Sequence, residues 1–575
     1  MQGRWVELPQ LILAALIPVA TVLLFVTLTI FTGNTREFAT AYVDLAGLFL
    51  PYAALLIAAL VLLGLILTTK GRQRYVAFLS ALAILFWLQG NILVWRYGVF
   101  DGSSIDWMDN VWRGIFDMAL WVAVLLLAVY GFRRFGKALF FAAVATFIIQ
   151  AIAGMTNVGG HPEIFETKSV ARHAEGRDAA MQFSSEFNIV HIVMDGFQSD
   201  IFAGILADTS ERDFRQDLRG FTYFDQHLGT YPYTQLTLPA MLSGQLYFND
   251  APVDDFVGEA MTGNSITNSA FAAGFEVDFA ASIALTNTYT LGRHSNSYGI
   301  TASGHVTGKD IAVMDAAKLL DLAVFRVVPH FAKALVHRDE LWIFQAYVQS
   351  RDYLHLQYFS DLAFLEQMAE NMSVDRDAPV YKLIHVMLSH RPFVGNARCE
   401  FDGRKPGSRA NVTIHAQCGL LRVFGVLQRM RDLGIYDSSL IVLMADHGAW
   451  VPVENFETSP TVKPMTVAMA TPMLAIKPPG AMHELQVSSA PSSMTDIAAT
   501  IADLAGIAGE FPGKSVYSLD ENTQRARQHL TYGYGVNPDA SGYLFPMQEW
   551  TVSGNPYRPE SWQRGMRYDP AGASN

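Results

Sequence analysis

The sequence has few cysteines and few charged residues. Only 2 of its 575 residues are cysteine, and Asp, Glu, Lys and Arg together make up 16% of the chain. The two cysteines have no spacing typical of a zinc or redox motif, and the sequence contains no internal repeat or low-complexity tract. By contrast, 51% of the residues are hydrophobic and the mean hydropathy is +0.21, which is unusual for a soluble enzyme.

The part of the chain after residue 160 has an excess of acidic residues. Residues 1–160 contain ten Lys or Arg and seven Asp or Glu, a net charge of +3, so the formal −12 of the whole chain leaves −15 for residues 161–575. A protein that binds nucleic acid needs a basic face to neutralise the phosphates. We therefore exclude nucleic acid as a partner.

Five apolar segments within residues 1–158 are long enough to cross a membrane as helices, which takes roughly 20 residues. The predicted spans are Leu11–Phe31, Gly47–Thr68, Tyr75–Trp95, Gly114–Tyr130 and Ala138–Met155. The first span is too long to be a signal peptide, and it lacks a small-residue cleavage site. The alternative is that these segments are buried helices of a soluble domain. Their lengths and their number favour membrane spans instead.

The loops between these spans predict the orientation of the chain. The second and fourth loops, TKGRQRY and GFRRFGK, are basic, whereas the other two carry mixed charges. Basic loops stay in the cytoplasm, so an odd number of spans places the N-terminus inside and everything after Met155 outside. Cys399 and Cys418 then lie in an oxidising compartment, where they could form a disulfide; two buried thiols are the alternative.

The exported part of the chain has the pattern of an α/β domain. A polar, aperiodic stretch at 159–187 is predicted to be a linker or a helix lying against the membrane. From 188 to 575, short apolar runs such as NIVHIVMDG and SLIVLMADHG alternate with helical patterns such as CGLLRVFGVLQRMRDLG. Continuous apolar strands between helices indicate a mostly parallel sheet covered by helices on both faces. The predicted fold is five transmembrane helices followed by an extracytoplasmic α/β domain.

Polar side chains follow three of the predicted strands. Asp195 comes directly after the first of these strands, Ser389 and His390 follow the second, and Asp446 and His447 follow the third. Ligands bind beyond the carboxyl ends of parallel strands, so we expect these residues to form one site. Turn formers or caps are the alternative interpretation.

The residue types at these strand ends suit a metal site. Asp195, Asp446 and His447 offer two carboxylates and one imidazole, which fit a divalent ion such as zinc, manganese or magnesium. Thr234 begins TQLTLPAMLSG, a segment with helical spacing that follows Pro232. Coordination to a metal ion would activate the Thr234 hydroxyl as a nucleophile. If Thr234 lies at the N-terminus of a helix, the backbone N–H groups and the helix dipole would also favour an anion beside this hydroxyl. An N-capping threonine is the alternative interpretation.

The order of these motifs resembles the sulfatase and alkaline-phosphatase superfamily. The series NIVHIVMDG, LPAMLSG, SHRPF, LIVLMADHG and FPGKSVYS extends over roughly residues 188–518. It looks most similar to the membrane-anchored branch that contains phosphoethanolamine transferases and lipoteichoic acid synthase. The resemblance implies that Thr234 is the nucleophile and that His390 contacts the transferred group or protonates the leaving oxygen. It implies four metal ligands, which are Asp195, Thr234, Asp446 and His447.

The sequence departs from parts of that superfamily. Sulfatases convert a Cys or Ser, followed by Pro and Arg, to formylglycine, whereas Thr234 is followed by Leu236 and Leu238 at those positions. This difference favours phosphoryl over sulfuryl chemistry. The Asp195–Gly196 pair is closer to the phosphodiesterase branch, but that two-metal branch needs further ligands, for which His529 is only a weak candidate. We therefore expect one metal ion.

The resemblance implies a phospho-group transferase or phosphodiesterase of the bacterial cytoplasmic membrane, with its catalytic domain in the periplasm or outside the cell. A membrane phospholipid is the implied donor, an envelope glycan or lipid the acceptor, and a phospho-threonine the covalent intermediate. The alternatives are a sulfatase-like hydrolase of another ester and a catalytically inactive, lipid-binding regulatory protein. Ala316–Val348, which is apolar with interspersed basic residues, is either an interfacial helix pair or a core helix pair of the domain.

Overall fold

The chain divides into two compact units. The computed structural model describes residues 6–95, 97, 105–166, 178–300, 308–338, 341–348, 356–454, 456–457, 459–535 and 542–571. One unit comprises Met1–Val170 and Val306–His355, and the other comprises Ala171–His305 and Leu356–Asn575.

The first unit is built from long apolar helices. They are Leu8–Gly33, which is π-helical at Thr21–Val26, then Tyr42–Ile66, Thr69–Asn91, Val111–Tyr130 and Phe132–Gly160. Four helices in the described part of the chain are long and apolar enough to cross a membrane: Leu8–Gly33, Tyr42–Ile66, Val111–Tyr130 and Phe132–Gly160. The predicted group of apolar N-terminal helices is therefore confirmed.

The predicted third span, Tyr75–Trp95, differs from these four. It corresponds to the helix Thr69–Asn91, in which Arg74 precedes the apolar run and Gln89 and Asn91 end it. The apolar stretch is consequently shorter than in the other helices. Many residues of this helix are buried against its neighbours, so it belongs to the interior of the unit.

A later segment completes the helical unit. It forms the helices Gly308–Val327, His330–His337 and Phe344–Val348. Leu319 and Ala323 pack in one apolar cluster with Phe31 and Phe38. Asp315 Oδ2 also accepts hydrogen bonds from the backbone N–H groups of Ala39 at 3.0 Å and Thr40 at 2.9 Å.

This placement differs from the domain boundaries expected from the sequence, which put Val306–His355 within the α/β domain at 188–575. The segment packs with the N-terminal helices instead. An apolar helix shows the same periodicity whichever neighbour it packs against, so the sequence pattern does not reveal its unit. Of the predicted linker at 159–187, residues 167–177 lie outside the described residues.

The second unit contains an eight-stranded sheet. Its strands are β2 (Asn188–Met194), β3 (Thr222–Phe224), β4 (Glu276–Ser282), β5 (Asn296–Ile300), β7 (Val380–Val386), β10 (Leu440–Met444), β11 (Leu474–Lys477) and β12 (Gln486–Ser488). From one edge of the sheet to the other, their order is β12-β3-β11-β10-β2-β7-β4-β5. Only β11 runs antiparallel to its neighbours in this sheet. The predicted mostly parallel sheet is confirmed.

Shorter sheets and helices surround this sheet. The other strands are β1 (Gln182–Ser184), β6 (Ser373–Arg376), β8 (Phe393–Gly395), β9 (Phe401–Lys405), β13 (Ala526–Thr531), β14 (Met547–Ser553) and β15 (Trp562–Tyr568). The helices are Ser199–Ala207, Thr234–Ser243, Val253–Thr262, Ile266–Ala272, Ile283–Thr288, Gln357–Asn371, Arg409–Asp432, Pro464–Ala470 and Ile497–Ala505. Cys399 and Cys418 form a disulfide that joins the connection between β8 and β9 to the helix Arg409–Asp432.

The core holds the carboxyl ends of the central strands in place. Every residue of β2, β7 and β10 is buried, which explains their nearly continuous apolar runs. Val193 of β2 and Val442 of β10 belong to the same apolar cluster as Leu238 and Met241 of the helix Thr234–Ser243. The sheet therefore fixes both the strand ends and the helix that begins at Thr234.

Candidate active site

The carboxyl ends of β2 and β10 bring three predicted ligands together. Asp195 follows β2, while Asp446 and His447 follow β10, which is the neighbouring parallel strand. One ligand atom from each residue lies within 4.8 Å of the others, and all three residues are buried. His447 Nε2 is 3.4 Å from Asp195 Oδ1 and 3.7 Å from Asp446 Oδ2.

The backbone fixes the orientation of Asp446. Its Oδ1 accepts hydrogen bonds from the N–H groups of His447 at 2.9 Å and Gly196 at 3.2 Å. Gly196 has a φ of +71°, a conformation that favours glycine and that turns the chain sharply after Asp195. The second oxygen, Oδ2, is thereby held on the side of His447 and Thr234.

The imidazole of His447 is oriented by its own neighbour in the chain. Its Nδ1 lies 3.0 Å from the backbone oxygen of Gly448, so Nδ1–H donates to that oxygen and Nε2 faces the carboxylates. Such a backbone partner is the usual way in which a metal-binding histidine is held in one tautomer. Gly448 leaves no room for a side chain, because an added Cβ would clash with the backbone oxygen of Ala468.

The Thr234 hydroxyl contacts the carboxylates of the site. Thr234 is the first residue of its helix, and Tyr233 is the N-cap residue. Thr234 Oγ1 donates a hydrogen bond to Asp446 Oδ2 at 2.6 Å and lies 3.4 Å from Asp195 Oδ2. The N-capping interpretation of this threonine is therefore wrong. Thr237 instead donates to the backbone oxygen of Tyr233 at 2.9 Å, a structural contact within the helix.

The residues present fit a divalent ion. Asp195 Oδ1 is buried and has no hydrogen-bond partner among the described residues. Burial alone would raise the pKa of Asp446, but His447, His385 and the hydrogen bond from Thr234 hold it well below its usual range. Two carboxylates, one imidazole nitrogen and one hydroxyl are oxygen and nitrogen ligands that suit zinc, manganese or magnesium.

A family model described as Sulfatase matches residues 187–507, which is more than half of the chain and includes all of these residues. The chain belongs to the sulfatase family. No curated protein matches the sequence.

Several solved structures are similar to this chain at low sequence identity. Phosphonate monoester hydrolase SpPMH from Silicibacter pomeroyi is 14% identical, with a TM-score of 0.42 and coverage of 68% of this chain and 90% of its own. The lipoteichoic acid synthase LtaP from Listeria monocytogenes is 11% identical, with a TM-score of 0.37 and coverage of 68% and 88%. The C-terminal periplasmic domain of EcEptC from Escherichia coli is 12% identical, with a TM-score of 0.36 and coverage of 67% and 96%.

His390 lies at the edge of the sulfatase-family site. Its Nδ1 is 2.7 Å from the backbone oxygen of Arg391, and its ring centroid is 6.4 Å from that of His447. Ser389, which precedes it, donates through Oγ to the backbone oxygen of Asp195 at 2.9 Å. The structure therefore places His390 beside the three residues that could hold a metal ion, without making it one of that group.

His385 is a site residue that the sequence analysis missed. Its Nε2 lies 3.6 Å from Asp446 Oδ2 and 3.8 Å from Asp195 Oδ2, and neither ring nitrogen has a hydrogen-bond partner among the described residues. Burial opposes its charge, yet Asp446 and Asp195 raise the pKa of His385 above its ordinary value. The signal in the sequence was a histidine near the end of the apolar strand that leads to Ser389 and His390.

Aromatic side chains lie around Tyr233, the residue that precedes Thr234. The ring of Tyr233 lies 5.9 Å from that of Trp450 and 5.0 Å from that of Tyr534, measured between centroids. The guanidinium of Arg391 lies 5.0 Å from the ring of Trp450. This side of the site is partly open to solvent, because the rings of Tyr233, Trp450 and Tyr534 are partly exposed. The Arg391 guanidinium supplies a positive charge there.

His529, the weak candidate for a second metal site, has a different environment. It is buried in β13, where its Nδ1 lies 2.8 Å from the backbone oxygen of Gly229. Within the part of the chain that the structure describes, Asp195, Asp446 and His447 are the only group of at least three Asp, Glu, His or Cys residues arranged to hold a metal ion.

Proposed function

We propose that the protein is a metal-dependent phospho-group transferase or phosphodiesterase that acts on lipids or glycans of the cell envelope. The observation that carries the proposal is the position of Thr234 Oγ1, 2.6 Å from Asp446 Oδ2, within a group of residues that suits a divalent ion. A hydroxyl becomes an effective nucleophile when a metal or an adjacent base removes its proton. This arrangement supports a covalent phospho-threonine at Thr234.

In the first half of the reaction, Thr234 Oγ1 attacks the phosphorus of a phosphodiester. Its proton passes by way of Asp446 Oδ2, the nearest acceptor, to solvent, because a carboxylate whose pKa is held so low does not keep it. The bond between Oγ1 and phosphorus forms while the bond between phosphorus and the leaving alcohol breaks, and His390 supplies the proton of that alcohol. Asp195, Asp446 and His447 would hold a divalent ion, which would favour the deprotonated hydroxyl and supply positive charge beside the phosphoryl oxygens.

In the second half, an acceptor hydroxyl attacks the phosphorus of phospho-Thr234. His390 now accepts the proton of the acceptor, the bond between phosphorus and Oγ1 breaks, and Oγ1 of Thr234 regains a proton from solvent. A glycan or lipid hydroxyl as acceptor gives a transferase, whereas water gives a phosphodiesterase. Both outcomes use the same residues.

Two features favour phosphoryl over sulfuryl transfer. The nucleophile position holds threonine, which has no route to the formylglycine that sulfatases make from Cys or Ser. Leu238 occupies the position that the arginine of their maturation motif would hold, and its side chain is buried in the core.

The apolar helices support a place in a membrane, which we propose is the bacterial cytoplasmic membrane. The basic loops TKGRQRY and GFRRFGK favour the cytoplasmic side. The catalytic domain then lies in the periplasm or outside the cell, provided that Thr69–Asn91 crosses the membrane together with the four more apolar helices. The disulfide between Cys399 and Cys418 supports an oxidising compartment.

The decisive experiment is the intact mass of the full-length protein after incubation with phospholipid and a divalent ion in detergent. We expect the wild-type chain to gain the mass of a headgroup phosphate and the variant Thr234→Ala to gain none. Thr237→Val is the matched control, because it removes the other hydroxyl near the start of this helix, which contacts only backbone oxygens of Tyr231 and Tyr233.

An adduct of equal yield on wild type and Thr234→Ala would refute Thr234 as the nucleophile. An adduct lost in both Thr234→Ala and Thr237→Val would point to damage of the helix rather than to loss of the nucleophile. Fragmentation of the labelled wild-type chain then identifies the residue that carries the phosphate.

A further inference from the structure

The helical unit contains a cavity that the proposed reaction does not use. It is a small cavity of about 40 Å³ between the helices Leu8–Gly33, Thr69–Asn91, Phe132–Gly160 and Gly308–Val327. Its polar lining consists of Thr29, Asn91, Gln150, Asn157 and Arg326. Polar and charged side chains among membrane-spanning helices are costly to keep and mark functional sites.

Among the described residues that line the cavity, Arg326 alone is charged. Its Nε donates to the backbone oxygen of Gly90 at 2.7 Å, and no carboxylate of the described residues forms an ion pair with it. The two terminal nitrogens of a guanidinium match the oxygens of a phosphate. A half-buried arginine without a counter-ion therefore suits an anionic ligand.

Gln150 supplies a second, independent polar group. Its side chain is only 6% exposed, and its Nε2 donates to Thr21 Oγ1 and to the backbone oxygen of Thr146, both at 3.2 Å. Its Oε1 is buried and has no partner among the described residues. An unpaired buried acceptor is costly, so the cavity suits a ligand that also carries a hydrogen-bond donor.

The cavity lies near the ends of three helices. Asn91 is the last residue of Thr69–Asn91, and Asn157 and Thr29 lie within the last turns of two helices that can cross a membrane. The ends of such helices reach the depth of lipid headgroups. Phe25 and Val26 supply an apolar wall toward the middle of their helix. Basic pockets between membrane helices are known to bind phosphate headgroups.

We propose that this cavity binds a phosphate anion that carries a hydroxyl or ammonium donor, as the headgroup of a glycerophospholipid does. Arg326 pairs with the phosphate oxygens, and Gln150 Oε1 accepts the hydrogen bond from the alcohol portion. This site is built from residues of the helical unit, so the proposal does not depend on the reaction at Thr234.

The test is a binding titration of the full-length protein that carries Thr234→Ala, which prevents turnover, after removal of bound lipid in detergent. Phosphatidylglycerol supplies the phosphate and hydroxyl donors within a lipid, and dioleoylglycerol supplies the same acyl chains without phosphate. Glycerophosphoglycerol supplies the same phosphate and hydroxyl groups as a soluble molecule without acyl chains, and inorganic phosphate supplies the phosphate alone. Native mass spectrometry counts the bound molecules in each case.

We expect phosphatidylglycerol to bind, and Arg326→Gln to weaken that binding at least about tenfold. Gln150→Glu places a negative charge beside the phosphate and should weaken binding similarly, with Arg326 intact. Arg113→Gln is the control, because Arg113 is an exposed cation of the same unit that bonds to Asn110 and stacks near Trp95.

Equal binding of phosphatidylglycerol to the parent and to Arg326→Gln would overturn the proposal, as would equal binding of dioleoylglycerol. Binding of glycerophosphoglycerol or inorganic phosphate without the lipid would support the phosphate site and assign it to a soluble ligand. If Arg326→Gln fails to fold, as judged by gel filtration, Gln150→Glu decides: unchanged binding in that variant overturns the proposal. The phospho-threonine is detected separately, so failure here leaves that proposal standing.

Discussion

Thr234 Oγ1 lies 2.6 Å from Asp446 Oδ2, although the two residues are 212 positions apart in the chain. The contact depends on two separate structural features. Strand β10 ends directly before Ala445 and Asp446, and the helix Thr234–Ser243 packs on the sheet through Leu238 and Met241. The Thr234 hydroxyl is therefore positioned by the core of the domain and not by a flexible loop.

The first prediction concerns the nucleophile. Thr234→Ala should lower kcat/KM for a phosphodiester by at least about 10³-fold, because removal of a nucleophile usually costs more than that. Thr234→Ser keeps the oxygen next to Asp446 and should retain part of the activity. Both are measured with a chromogenic phosphodiester on the full-length protein, and comparable activity of the Ala and Ser variants would contradict the assignment.

The fold and most of this site could be predicted from the sequence for a simple reason. Asp195, Asp446 and His447 each follow an apolar run, and parallel strands place their carboxyl ends at one edge of the sheet. His385 could not be found in this way, because it lies inside a strand and the apolar run does not reveal which atoms its ring faces. Residues 306–355 were misplaced because an apolar helix has the same pattern in either unit.

The second prediction separates metal ligands from the acid–base residue. His447→Ala and Asp195→Asn should lower the affinity for a divalent ion by more than about 100-fold, since even residues that only orient the ligands contribute about 10–100-fold. His390→Ala should keep the bound metal while kcat falls by about 10²–10⁴-fold. Metal content is measured by mass spectrometry after dialysis. Loss of metal from His390→Ala would place that residue among the ligands.

The third prediction concerns His385. Its Nε2 lies within 3.8 Å of both Asp195 Oδ2 and Asp446 Oδ2, so it holds the two carboxylates in place. We expect His385→Ala to lower metal affinity by about 10–100-fold. His191→Ala is the matched control: His191 is also buried in a central strand, but it contacts Tyr381 and Met444. An equal loss of metal from both variants would indicate general destabilisation.

The fourth prediction concerns a buried ionic cluster in the sheet. Asp278 Oδ2 lies 2.8 Å from Lys382 Nζ and 2.9 Å from Arg376 Nη2, and burial lowers the pKa of Lys382 to about 8. Asp278→Asn leaves both cations without this partner and should lower the free energy of unfolding by about 3–5 kcal/mol. Glu276→Gln is the control, because Glu276 pairs with Arg376 at 3.0 Å but its side chain is 41% exposed. Chemical denaturation should show at most about 1 kcal/mol for that variant.

The disulfide gives the fifth prediction, which links stability to the site. Cys399 and Cys418 are 19 positions apart, and closing a loop of this length stabilises a folded chain by about 3 kcal/mol. Reduction, or the variant Cys418→Ala, should therefore lower the melting temperature of the domain. Because the bridge holds the connection between β8 and β9, which follows His390 in the chain, activity should become heat-labile before metal is lost. A reductant that leaves both melting temperature and activity unchanged would show that this connection is held by its other contacts, such as the hydrogen bonds from Val394 and Gly395 to His415.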